Sequence, residues 1–313
     1  MIVRYLEYIV ALDRERHFAR AAAACKVTQP TLSSGIKQFE KDLGVLIVER
    51  GQRFAGFTPE GHRVLAWARR ILADYRGLEQ EVGELREGLV GQLRIGAIPV
   101  GLPALGILTA QFTADHTRAR IEVISQTSAE IQRGLDDFAI DVGMTYLDND
   151  PLSRVRVTDL YDERYVLVSR ADGEFQKHTQ VTWAQAAGVP LCLLNRSMQN
   201  RRILDTYFHA AGVEPTPMIE TNSLVTLWSH VRFGRSATVV PHTFLLLLGQ
   251  REGLLALPLV DPIGKHAVGL VASSRDPLTP MTRELLKVAR QFDLAAAIER
   301  EIRALWQPKG APP

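Results

Sequence analysis

Only two cysteines, Cys25 and Cys192, occur in 313 residues, and neither has a Cys or His neighbour at metal-ligand spacing. That argues against a disulfide framework and a zinc site, and it fits a reducing compartment. Long apolar runs are missing as well. The longest, FLLLLG at 244–249, falls far short of the roughly 20 residues that cross a bilayer. The first apolar run, Tyr8 to Leu12, is short and meets the charged DRER at once, so it does not read as a signal peptide. These absences predict a soluble cytoplasmic protein with no membrane partner. Catalytic signatures are lacking too: there is no G-x-x-x-x-G-K-[ST], G-x-S-x-G, H-E-x-x-H or dinucleotide glycine fingerprint, and the eight histidines are scattered. No enzyme, resident cofactor or metal is expected.

What is present is ordinary globular composition, 46% hydrophobic and 23% charged, with a net charge of +2. The excess is local. Residues 1–58 hold nine Lys/Arg against six Asp/Glu, whereas from residue 91 the count is 23 against 23. A modest polyanion-binding surface near the N-terminus is therefore possible.

Leu6, Ile9 and Val10 mark a first amphipathic helix, and the alanine-rich FARAAAACKV a second. Lys26-Val27 makes a tight turn, Thr28 caps a third helix, and Pro30 sits in its first turn, where the missing N–H costs little. This is a helix-turn-helix pattern. On the third helix Leu32, Ile36, Phe39 and Leu43 share one side. Opposite or at the exposed start lie Thr28, Gln29, Pro30, Thr31, Ser33, Ser34 and Lys37. Small hydroxyls are poor helix formers, but they let a backbone approach the major-groove floor. Gln bonds bidentately to adenine, and Lys meets phosphate or guanine. A merely solvated polar face is the competing reading of this helix alone. The segment VLIVERGQRFAGFT (45–58) shifts the balance. It reads as two short β segments around a turn with Arg50 and Arg53, a wing whose arginine can enter the minor groove.

Thr58-Pro59 then opens a long helix. Within it Val64, Ala68, Ile71, Tyr75, Leu78, Val82 and Leu85 recur at alternating spacings of four and three, an a/d seam suited to a partner helix. It predicts dimerisation and recognition of an inverted repeat, packing within the same chain being the competing reading.

These residues resemble the LysR-type transcriptional regulators. HFARAAAACKVTQPTLSSGIKQFEKDLGVLIVER followed by FTPEG carries, in order, the aromatic-R-A-A, Q-P-x-L-S, I-x-x-x-E-x-x-L-G and T-x-x-G pattern of that family. The resemblance implies that the Q-P-x-L-S helix enters the major groove of promoter DNA, that Arg53 is the wing arginine and that Arg50 supports the wing backbone. It also implies a dimer of dimers and contact with RNA polymerase.

Seven short strands (93–99, 120–125, 141–146, 165–169, 190–195, 237–241 and 267–273) alternate with helical stretches at 103–114, 128–137, 182–187, 200–211, 223–234 and 279–293. Alternation of this kind predicts open parallel α/β sheets. The resemblance implies a two-lobed domain similar to periplasmic solute-binding proteins. The expected organisation is a winged helix-turn-helix at 1–58, a linker helix at 59–90, an effector domain at 91–302 and a tail at 303–313. Lobe I comprises 91–161 and 267–302, and lobe II 162–266. Ligands of such sheets sit beyond the strand carboxyl ends. That selects Pro99, Val100, Gly101, Thr127, Ser128, Thr145, Tyr146, Asn195, Arg196, Asn222 and Ser223 as the lining of a small-molecule effector site. The apolar start of this cleft and the nearby Arg196 hint at a small carboxylate. A transport component would need a leader and no helix-turn-helix, and a fused enzyme would need a catalytic constellation.

Overall fold

The computed structural model describes residues 2–49, 54–247 and 253–306, without the Glu87 side chain. Arg50 and Arg53, and the tail beyond Trp306, lie outside the described residues. The chain divides into two compact units, one of residues 1–88 with 137–139, the other of 89–136 with 140–313.

In the first unit α1 (Ile2–Glu15), α2 (Phe18–Ala24), α3 (Gln29–Leu43) and α4 (Pro59–Glu87) follow one another. Leu6, Ile9 and Leu12 of α1 meet Ala21 and Ala22 of α2 and Leu32, Ile36 and Phe39 of α3 in one buried core. The alanines of α2 let the helices approach closely. The Thr28 hydroxyl caps α3 by accepting the Thr31 N–H at 3.3 Å, and α3 ends on Gly44 with φ +70°. Glu40 fastens α3 to the following chain: its carboxylate accepts the N–H groups of Ile47 and Val48 at 2.8 and 3.0 Å. The expected wing strands are reduced, among the described residues, to a single antiparallel bridge between Val48 and Phe57. The Thr58 hydroxyl caps α4 and donates to the Leu46 carbonyl at 2.6 Å.

The second unit is two-lobed. Its first sheet has the order β2 (Ala119–Ser125), β1 (Gly91–Ala97), β3 (Val142–Tyr146), β11 (His266–Ser273), β4 (Val155–Glu163). Helices α5 (Leu102–Asp115), α6 (Ser128–Asp136), α10 (Pro280–Gln291) and α11 (Leu294–Trp306) belong to the same half. Every residue of β3 is buried, as a strand covered on both faces requires. The second lobe holds a sheet in the order β6 (Val181–Thr182), β10 (Leu254–Val260), β5 (Tyr165–Arg170), β9 (Thr238–Pro241). The pair β7 (Cys192–Leu194) and β8 (Ile219–Thr221) is joined to it by a bridge from Leu191 to Ala237. Helices α7 (Trp183–Ala187), α8 (Gln199–Ala210) and α9 (Leu224–Phe233) complete it.

The expectation of parallel sheets holds only in part. β1 pairs in parallel with β2 and β3, but β11 runs antiparallel to β3 and β4, and β5 antiparallel to β9 and β10. The reason is topological. The chain leaves lobe I through β4 and returns through β11, so the two crossing strands lie side by side in opposite directions. Strands β4, β6, β8 and β10 lie outside the seven segments read from the sequence.

Candidate functional site

The first candidate surface is α3. Its apolar stripe is consumed by the core, with Leu32, Ile36 and Phe39 buried. Thr28, Gln29, Pro30, Thr31, Ser34 and Lys37 are exposed on one continuous outer surface, and Ser33 is half-buried on its shoulder. The helix can come so close to α1 because residue 35 is glycine: a Cβ there would stand 2.7 Å from the Tyr8 ring. Gly61 has a similar role at the start of α4, where a Cβ would fall 2.0 Å from the Ile47 carbonyl oxygen.

The seam on α4 divides. Ala68 is fully buried and Val64 packs on the same core, so the first turns serve their own unit. From Ile71 onward the apolar positions are exposed: Tyr75 at 42%, Leu78 at 60%, Val82 at 48% and Leu85 at 85%. Trp67, which the heptad spacing passes over, is 60% exposed as well.

The second candidate is a cleft between the two lobes of the second unit, with about 290 Å³ of empty space, open solvent at its mouth included. Its lining comprises Ile98, Pro99, Val100, Thr127, Ser128, Tyr146, Leu194, Met198, Gln199 and Asn200. Strand ends build it. Pro99 and Val100 follow β1 in a 3-10 turn (Pro99–Gly101), Thr127 and Ser128 follow β2 at the start of α6, and Gln199 and Asn200 open α8. The expected Pro99, Val100, Thr127, Ser128 and Tyr146 are thus brought together. Gly101 is buried next to them, and Thr145 lies directly behind, its hydroxyl 2.8 Å from that of Ser128.

Asn195, Arg196, Asn222 and Ser223 are not among the lining residues. Arg196 is exposed and faces Asp205 and Glu214 at 3.4 and 3.2 Å. Ser223 caps α9, its hydroxyl accepting the Thr226 N–H. Ile98, Leu194, Met198, Gln199 and Asn200 escaped the sequence reading. The rule that ligands lie beyond strand ends pointed to the residues just after β7, but the side chains of this segment that reach the cleft are Leu194 at the end of β7 and Met198, Gln199 and Asn200 at the start of α8.

Polar contacts close the cleft from both sides. The Ser128 hydroxyl donates to Gln199 Oε1, and Gln199 Nε2 donates to the Asn149 carbonyl and, at 3.0 Å, to its Oδ1. Asn200 Nδ2 donates to the Tyr146 hydroxyl at 2.9 Å, which in turn donates to the buried Glu163 carboxyl at 2.5 Å. Burial pushes the Glu163 acid up to about 8, against the pull of the hydrogen bond from Tyr146. Burial, and then the adjoining Glu163, holds the Tyr146 phenol well above its ordinary value. None of the described residues that line the cleft is charged. Cys192, the cysteine of this unit, is buried in β7, and burial raises its thiol to about 11.

Among the described residues no group of His, Cys, Asp or Glu could hold a metal ion, and no helix is long and apolar enough to cross a membrane.

Comparison with known proteins matches residues 3–62 to the bacterial regulatory helix-turn-helix of the lysR family and residues 86–293 to the LysR substrate binding domain. The chain is 29% identical over 291 residues to the DNA-binding transcriptional dual regulator OxyR of Escherichia coli K12, covering 93% of this chain and 95% of that one. It is 34% identical over 197 residues to the SDS degradation transcriptional activation protein of a Pseudomonas species, covering 60% and 63%. Among solved structures, full-length OxyR from Pseudomonas aeruginosa with a cysteine-to-aspartate substitution superposes with a TM-score of 0.72 at 24% identity, covering 94% and 99%. Full-length CbnR complexed with its target DNA gives 0.67 at 21% identity, covering 93% and 99%. At these identities the structural likeness establishes the fold.

Proposed function

The chain belongs to the LysR family of bacterial regulatory proteins, DNA-binding transcriptional regulators with an effector-binding domain rather than enzymes, and on that premise we propose how its own residues divide the work. The α3 face of Thr28, Gln29, Pro30, Thr31, Ser33, Ser34 and Lys37 reads the major groove of promoter DNA. The observation that carries this is the sorting of α3: every large apolar residue of its stripe up to Phe39 is buried, while small hydroxyls, an amide and a lysine stay outside. Gln29 reads a base edge and Lys37 meets phosphate. Arg53 enters the minor groove and Arg50 steadies the wing.

The exposed half of the α4 seam, Ile71 to Leu85, pairs with the same helix of a second copy. An apolar stripe of that length left in water is a partner site. The pair presents two recognition helices to an inverted repeat. The full assembly is a dimer of dimers acting in the cytoplasm with RNA polymerase, and residues 1–58, 59–90 and 91–302 serve as reading, linking and effector segments.

The interlobe cleft binds a small-molecule effector that shifts the population between lobe arrangements and so the spacing of the paired readers on DNA. The effector must bind the two arrangements unequally, or nothing shifts. A small carboxylate would have the N-termini of α6 and α8 to favour it, but it would find no cation in the lining, since Arg196 is engaged elsewhere. A thiol switch of the sort that the name of one relative, a hydrogen peroxide-inducible genes activator, suggests finds no support in Cys192, which is buried, protonated and the one cysteine of its unit. We therefore assign reversible, non-covalent sensing to this chain.

Footprinting on the DNA upstream of the protein's own gene, with and without candidate metabolites and across a salt series, tests the reading. A protected, partly palindromic site with steep salt dependence, changed in extent by one metabolite, supports it. Tight metabolite binding with no specific protection refutes the DNA-reading assignment.

A further inference from the structure

Gln199 has an unusual position for a residue of a binding cleft: its own carboxamide is already fully engaged there. It stands on the first turn of α8 in lobe II, is only 7% exposed, and among the described residues its carboxamide bonds across the cleft, to Ser128 and Asn149 of lobe I. The polarity of the arrangement is fixed by chemistry. The Asn149 backbone carbonyl can only accept, so the amide nitrogen must face it and the amide oxygen must face the Ser128 hydroxyl. Thr145 then donates to Ser128, which completes a buried chain of donors running one way.

We propose that Gln199 is an internal occupant of the effector cleft, holding the lobes together in the place where the polar end of an effector binds, and that the effector is a small uncharged molecule bearing a carboxamide or a group of the same hydrogen-bonding pattern. The inference rests on the effector reading of the cleft and narrows it. A competitor for this place must accept from Ser128 and donate to the Asn149 carbonyl. A carboxylate meets the first demand and fails the second, because its second oxygen would face the Asn149 carbonyl and Oδ1 with no proton between them. The uncharged lining agrees, and Ile98, Val100, Leu194 and Met198 offer an apolar wall for the rest of the molecule. Asn200, the next residue of α8, makes a second contact across the cleft through Tyr146, and the Thr243 hydroxyl a further one to the Val100 carbonyl, so displacing Gln199 loosens the lobes at one point while others remain.

The test is chemical rescue. Gln199→Ala removes the atoms of acetamide, so acetamide should bind the variant saturably, in roughly the millimolar range for so small a ligand, and raise its melting temperature. Acetate should not, and wild-type protein should respond to neither. Gln199→Glu, nearly isosteric, should expand in solution scattering at pH values where the new acid is ionised and contract again when it is protonated. Equal responses to acetamide and acetate, an equal response of wild type, or no acetamide response together with an unexpanded Gln199→Glu protein would overturn the assignment of Gln199. The effector reading is judged separately, by the promoter footprint. If acetamide binds Gln199→Ala selectively but leaves its footprint unaltered, the occupant stands and the cleft's control over DNA falls. If acetamide does not bind and Gln199→Glu does not expand, but metabolites still alter the wild-type footprint, the occupant falls and the effector reading stands.

Discussion

The Tyr146 hydroxyl donates to the Glu163 carboxyl across 2.5 Å, and both side chains are buried, at 1% and 0% exposure. Tyr146 lines the cleft, while Glu163 is the last residue of β4, the strand by which the chain leaves lobe I. The pair therefore joins the site to the crossing point between the lobes.

Glu163 makes stability depend on pH. Its acid titrates at about 8 in the folded protein against an ordinary value of 4.5, because burial disfavours the charge. Between those values the unfolded chain has ionised while the folded one still holds its proton. Stability should therefore fall as pH rises through this window and level off once the folded acid ionises too. Urea midpoints across pH 4–9 check this, and Glu163→Gln should flatten the slope. A variant with the wild-type slope would show that the proton resides elsewhere.

On α3, removing Gln29 and removing Lys37 should differ in kind. Gln29→Ala should cost about 1–3 kcal/mol on the preferred site and relax its sequence preference. Lys37→Ala should weaken all sequences alike and make the salt slope shallower by about one. Binding titrations on specific and scrambled duplexes at several salt concentrations separate the two. A uniform loss from Gln29→Ala would move that residue to a phosphate-contact role.

Leu78→Glu should dissociate the dimer. Leu78 is 60% exposed in the single chain, so the substitution costs the isolated subunit little but buries a charge at a paired seam. Sedimentation equilibrium reads the outcome directly. An unaltered dimer would place the partner contact on another face.

Gly61→Ala should destabilise the first unit by about 1–3 kcal/mol or more, as overpacking against atoms that cannot yield commonly does. The obstacle is the Ile47 carbonyl oxygen, 2.0 Å from the added carbon. Ile47 adjoins the Val48–Phe57 bridge at the base of the proposed wing, so thermal melting and DNA affinity should fall together. A fully stable variant with lowered affinity would mean that the wing alone had moved.

Much of this molecule is visible in its sequence because local rules decide it. Thr28 and Thr58 cap α3 and α4 where a hydroxyl before a first-turn proline says they should. The stripe of Leu32, Ile36 and Phe39 follows from the helical period and ends in the core. The seam from Ile71 to Leu85 follows from heptad spacing and is exposed as a partner face would be. Strands with uninterrupted apolar runs, such as β3 and β5, stand out for the same reason.

Where side chains from distant segments had to meet, the local rules ran out. Strand β4 carries acids at Asp159 and Asp162, which face solvent, and β10 contains Pro258, so neither reads as a strand until its neighbours in the sheet are known. Antiparallel β11 depends on a return from the other lobe, which no local pattern encodes. Arg196 carries a charge that looks suited to a ligand, yet Asp205 and Glu214 hold it away from the cleft. Gln199 and Asn200 are ordinary helix-start residues until Ser128, Asn149 and Tyr146, some fifty to seventy positions earlier, are brought against them. The sequence by itself determined which helices form, which faces they bury and which family they belong to, because spacing and capping act over a few residues. The tertiary structure alone decided which polar groups meet across the cleft, because that depends on how two sheets joined by two crossing strands close on each other.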